Sequence, residues 1–146
     1  MKVYTYSPSD VVLSVGGYII SGITSVAAQR NTTAFKIVRG IRGQNTRVYN
    51  KDTSAEMTVT LLQTSISNDL FSIIEQEDEK YRTGRLEISL KDTSGTTVWE
   101  SDEAFIEGLP STTLGKDLTD RTWKICMLST RSVTTGGNYK AAPDLF

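Results

Sequence analysis

The sequence predicts a mainly β domain: two packed β-sheets, a sandwich or barrel, with one flanking α-helix. Three observations carry this. Thr, Val and Ile supply 41 of the 146 residues, and β-branched side chains favour the pleated backbone. Apolar and polar residues alternate in several short runs, the period of a strand with one buried face. Apolar residues recur at helical spacing in one stretch alone. With 38% hydrophobic and 23% charged residues, a chain of this length is one domain able to bury a core.

Val11–Val15 and Tyr18–Ile20 flank Gly16-Gly17 and form a hairpin, the glycines supplying positive φ in a two-residue turn. Residues 11–29 carry no charge, and Val26-Ala27-Ala28 resembles a cleavage site. Ser14, Gly16, Gly17, Ser21, Gly22, Thr24 and Ser25 break the run, however, and Asp10 precedes it. It therefore reads as two strands and a glycine turn rather than a secretion signal or membrane span, and no membrane partner is expected. Ala34–Arg39 alternates Phe35 and Ile37 with Lys36 and reads as a strand. The polar segment from about 39 to 53 reads as a long loop or an extended hairpin tip.

Glu56–Gln63 places Met57, Val59 and Leu61 on one face and Glu56, Thr58 and Thr60 on the other. A helix over about 68–81 follows. Ser67 suits its N-cap, Asp69 its first turn, and Leu70, Ile73, Ile74 and Tyr81 fall near helical spacing before Gly84 stops it. Leu86, Ile88 and Leu90 alternate in the next strand, Asp92–Gly95 turns the chain, and Thr97–Trp99 returns it. Ala104–Ile106 reads as a further short strand and Thr122–Leu128 as the last. Residues 1–128 thus make a single domain and 129–146 a C-terminal arm. The expected core is Met57, Val59, Leu61, Leu86, Ile88, Leu90, Trp123, Ile125 and Met127, closed by Leu70, Ile73 and Ile74 of the helix.

Little of the chain suits catalysis. It has no histidine, so the commonest general base and metal ligand are both missing, and Cys126 is its one cysteine. There is no phosphate-cradling Gly-rich loop, no Gly-x-Ser-x-Gly and no calcium loop. Glu75, Glu77, Asp78 and Glu79 read as a solvated helix face, and Glu100, Asp102, Glu103 and Glu107 as a hairpin end, rather than as glycosidase pairs. No catalytic residue, metal or cofactor is expected.

Charge is segregated instead. Arg30–Lys51 holds six bases and no acid, whereas Asp69–Glu107 holds eleven acids and four bases, within a net charge of −1. Tyr49 is the only aromatic between Phe35 and Phe71, so the basic segment offers no stacking platform for single-stranded nucleic acid. A basic loop that meets an acidic patch on an identical neighbour makes a heterologous contact, which builds rings or filaments. Arg39, Arg42, Arg47, Tyr49 and Lys51 are the expected interface residues.

Three stretches carry a family resemblance. Thr58–Ser65 with Ser67-Asn68-Asp69, Val11–Gly17 with Gly22, and Gly115–Leu118 with Arg121-Thr122-Trp123 resemble, in order and spacing over residues 9–128, the tail tube proteins of contractile-tailed bacteriophages. The resemblance implies a virion structural protein, assembled in the host cytoplasm. Six copies would form a ring whose inner strands close a barrel around a lumen, and stacked rings would conduct the genome. It also implies as partners a surrounding sheath protein and the baseplate, tape-measure and tail terminator proteins. Double-stranded DNA would pass without specific binding, past a polar or acidic lining for which Glu56, Thr58 and Thr60 are candidates. The turn Gly40-Ile41-Arg42-Gly43-Gln44 is basic where the family's is often acidic. A tube-initiating or baseplate hub component shares the expected fold, and a carbohydrate-binding sandwich using Trp99 and Trp123 is the remaining alternative.

Overall fold

In the computed structural model, which describes residues 3–139, a short 3-10 turn at Pro8–Asp10 leads into β1 (Val11–Val15). β1 pairs with β2 (Tyr18–Ile19) across Gly16 and Gly17, at φ +59° and +87°. Both values lie in the left-handed region that favours glycine, so these two residues suit the tight turn that sets the hairpin register. β3 (Ile23–Arg30), β4 (Phe35–Arg39), β5 (Asn45–Tyr49) and β6 (Ala55–Leu61) precede the helix α1 (Ser67–Tyr81). β7 (Leu86–Asp92), β8 (Val98–Ile106), β9 (Arg121–Ser129) and β10 (Ser132–Thr134) complete the chain.

The mainly β fold with one helix is as the sequence predicts. One antiparallel sheet runs β2-β1-β7-β8-β9-β6-β3, with β10 also on β8, and β4-β5 forms a separate pair. β2 and β3 lie at opposite ends of that order, yet only Ile20–Gly22 separates them in sequence. Such a tether reaches about 14 Å at most, so the sheet is rolled until its two edges approach at that corner. There the Ser65 hydroxyl donates to the Ser21 carbonyl at 2.6 Å, and the Ser21 amide donates to Ser67 Oγ at 3.0 Å. Gly22 adopts φ +70°, and a Cβ on it would fall 2.6 Å from Ser65 Cβ.

The rolled sheet buries one face of each central strand. Met57, Val59 and Leu61 of β6, Ile88 and Leu90 of β7, and Trp123, Ile125 and Met127 of β9 are buried as predicted, with Leu86 half-buried against them. Leu13 and Val15 of β1 join the same core.

The helix packs Leu70 and Ile74 against the core as predicted, but its buried stripe centres on Phe71 and excludes Ile73. Phe71 is fully buried and meets Trp123 edge-on at 5.4 Å between ring centres, whereas Ile73 is 54% exposed. Buried Ser67, Phe71 and Glu75 follow the four-residue spacing of one helix stripe. Leu70 and Ile74 flank that stripe half-buried, and Ile73, two positions from Phe71, points away. Ser67 is the first helical residue rather than the N-cap, and its hydroxyl is taken up by the Ser21 amide. At the other end Arg82, not Gly84, supplies the left-handed cap at φ 56°.

Two strands differ from expectation. Val98–Trp99 and Ala104–Ile106 belong to one strand, β8, whose alternation slips between buried Ser101 and buried Ala104. This bulge turns both Asp102 and Glu103 outward, so the acids lie in mid-strand rather than at a hairpin end. β3 was not legible as a separate strand, and the arm expected from residue 129 contributes β10 to the sheet before reaching residues 140–146, which lie outside the described part.

Candidate assembly surfaces

The segment from about 39 to 53 is the tip and return arm of a hairpin, and all ten residues of β4 and β5 are exposed. Register puts Phe35, Ile37, Arg39, Asn45, Arg47 and Tyr49 on one face and Lys36, Val38, Thr46 and Val48 on the other. Phe35 and Tyr49 contact at 5.4 Å, and the Arg47 guanidinium lies 4.2 Å from the centre of the Phe35 ring. At the tip the Gly43 amide donates to the Gly40 carbonyl at 3.0 Å, displaying Ile41 and Arg42 as the central turn residues. At the root, Lys36 and Lys51 line an open cleft with Thr32, Thr33, Val48, Tyr49 and Asn50. The five predicted interface residues thus share one hairpin. The sequence shows its charge and its alternating apolar residues but not that those residues are exposed.

The second surface is the outward face of β3, β6 and β9. Glu56 lies between Gln29 and Cys126, Thr58 between Ala27 and Lys124, and Thr60 between Ser25 and Thr122. All three predicted lining candidates are half-buried, and Lys124 Nζ sits 3.9 Å from Glu56 Oε1. Burial, then the carboxylates of Glu107 and Glu56, push the Cys126 thiol up, so it is kept protonated and a poor nucleophile. Beyond this face, β3 is the last strand of the sheet, with its outer edge unpaired among the described residues.

The acids divide in a way the sequence does not reveal. Glu77 and Glu79 are exposed on α1, but Glu75 is buried and its Oε2 has no hydrogen-bond partner. Burial first, then Glu79, raises the Glu75 pKa. Arg131, just before β10, donates to Glu100 Oε2 of β8 at 2.7 Å and also to Asp102, while Lys91 approaches Glu100 at 3.3 Å. The Arg131 hydrogen bond holds the Glu100 pKa down against desolvation. These acids are neutralised within the protomer. Trp99 and Trp123 are 7% and 2% exposed, and the Trp123 indole donates to Asn68 Oδ1 at 3.0 Å. Neither offers a sugar-stacking platform, which removes the observation the carbohydrate alternative needs.

No protein-family model matches the sequence. The chain is 32% identical over 151 residues to structural protein ORF10 of Pseudomonas phage KPP10, covering 95% of this chain and 86% of that protein. Solved structures share the fold at low identity. One described as the sheath/tube terminator of the PVC extracellular contractile injection system, in its extended state, matches at TM-score 0.56 and 18% identity, over 88% of this chain and 96% of that one. The tube-terminating cap of the anti-feeding prophage matches at 0.58 and 12%, over 92% and 95%. The PVC sheath-tube complex in its extended state matches at 0.58 and 17%, over 90% and 93%.

Proposed function

The chain belongs to the family of phage structural proteins that includes ORF10 of Pseudomonas phage KPP10, and from that premise we propose that it is a ring-forming subunit of a phage tail conduit. The β4–β5 hairpin carries the reading. It exposes aromatic, aliphatic and basic side chains on one face, aliphatic and basic ones on the other, and belongs to no larger sheet of its own protomer. A lone two-stranded hairpin is marginal in water, and a second copy covering it supplies the missing packing. The unpaired edge of β3 lies at the root of the same hairpin. Pairing that edge with a strand of the neighbour closes successive sheets into a barrel and leaves no edge exposed.

In such a ring the outward face of β3, β6 and β9 lines the bore. Ser25, Thr58, Thr60 and Thr122 present hydroxyls there, and Glu56 lies beside Lys124. Double-stranded DNA then meets little uncompensated positive charge, and adhesion through phosphate neutralisation stays small. Six copies per ring, an outer sheath, and tape-measure and baseplate contacts are the arrangement the tube resemblance implies.

A ring that ends the tube is favoured over one repeated along it, because two of the similar structures are described as a tube terminator and a terminating cap. The shared fold of a sheath-tube complex supports the repeated tube subunit as the competing reading. Negative-stain electron microscopy of the purified protein across a concentration series separates them. Single rings of fixed thickness with a central hole support the end ring. Long hollow tubes would assign the chain to the tube body, and a strict monomer at every concentration would overturn ring formation.

A further inference from the structure

A groove runs between the C-terminal half of α1 and the ends of β7 and β8, with a volume of about 200 Å³. Ile74, Leu86 and Ile106 give it an apolar lining, and Glu77 and Asp78 sit on its helical side. Asp78 Oδ1 accepts the Gly84 amide at 2.8 Å, which anchors one acid of the pair, while Glu77 is exposed and makes no ion pair among the described residues. Arg85 also lines the groove but is drawn towards Glu103, at 4.0 Å. An apolar cleft edged by unneutralised carboxylate calls for a ligand with an aliphatic side chain next to a cation.

The hairpin tip has that composition. Ile41 is fully exposed, Arg42 follows it, and the turn between Gly40 and Gly43 holds the two side by side. We infer that this groove receives the Ile41-Arg42 tip of a second copy, with Ile41 against Ile74 and Leu86 and Arg42 beside Glu77. The inference rests on the ring-forming reading above and names the acceptor of its hairpin. Burial removes an exposed apolar turn residue from water, and the charge pair sets register and rejects like-charged alternatives. Donor and acceptor are different patches of one surface, so the contact is heterologous and propagates from copy to copy.

Arg42 and Glu77 are both exposed, so each tolerates replacement without disturbing the core. Arg42→Cys and Glu77→Cys chains, both carrying Cys126→Ser and differing in tag size, are mixed under assembling conditions and treated with a short bis-maleimide. That reagent is chosen because an Arg–Glu pair holds its backbones further apart than a disulfide allows. The expected product is a cross-link between the two kinds of chain. Arg42→Glu is expected to raise the concentration needed for assembly by at least about tenfold, and Glu77→Arg on the same chain to restore it. Rings visible by microscopy without the cross-link or the rescue would overturn the groove as acceptor and leave ring formation standing. Absence of any assembly would overturn both.

Discussion

Arg131 reaches from the residue preceding β10 to Glu100 on β8, its Nη2 2.7 Å from Glu100 Oε2, while its backbone amide donates to the Glu100 carbonyl at 2.8 Å. Side chain and main chain thus fasten the C-terminal arm at one point. Since Arg131 holds the Glu100 pKa below the ordinary value, the folded form favours the carboxylate. The resulting stability is present above about pH 4.5 and is lost as pH falls through the lowered folded value. Thermal unfolding followed by circular dichroism should therefore give a midpoint that declines below about pH 4.5. Arg131→Ala should lower the midpoint at neutral pH and flatten that decline. An unchanged acid limb in Arg131→Ala would show that Glu100 is not its source.

Glu75 acts in the opposite direction. Its raised folded pKa means that the native state holds the proton more tightly than the unfolded chain. Its stabilising share is complete below about pH 4.5 and lost as pH rises from there through the raised folded value. At neutral pH the buried, partnerless Oε2 is a net cost. Glu75→Gln should stabilise the fold at pH 7, because the amide fills the same site without a buried charge and without repulsion from Glu79. It should give almost no gain near about pH 4. Equal gains at both values, measured by urea unfolding, would place the effect in packing rather than ionisation.

How much of this could be read in advance depends on whether the signal was local. β6 was legible because one face is buried along its whole length, so Met57, Val59 and Leu61 alternate without interruption. β3 was not, because Ile23, Val26 and Ala28 are only half-buried on an edge and the register slips between Ile23 and Ser25. β8 reads as two strands because its acids suggest a turn, and the base that neutralises them, Arg131, lies about thirty residues on. The positive charge of the hairpin was plain in the sequence, but its exposure was not. Burial is a tertiary property, and Phe35, Val38 and Val48 match the composition of an ordinary core strand.

The helix offers the sharpest test of packing, because the sequence places Ile73 beside Leu70 and Ile74 in the core and the structure places Phe71 there instead. Phe71 is fully buried against Trp123, itself held by Asn68. Removing the Phe71 ring leaves a cavity beside an indole that cannot move without losing that hydrogen bond. Phe71→Ala should cost about 3–5 kcal/mol, in the range of buried aromatic truncations. Leu61→Ala, at the fully buried end of β6, should cost about 2–5 kcal/mol. Ile73→Ala should change stability by less than about 0.5 kcal/mol, since a mostly exposed side chain leaves no cavity and alanine is the better helix former. Urea unfolding midpoints read all three. A large loss at Ile73 with a small one at Phe71 would mean that the helix is rotated by half a turn from the orientation described, and would also move Glu75 into solvent and cancel its pH effect.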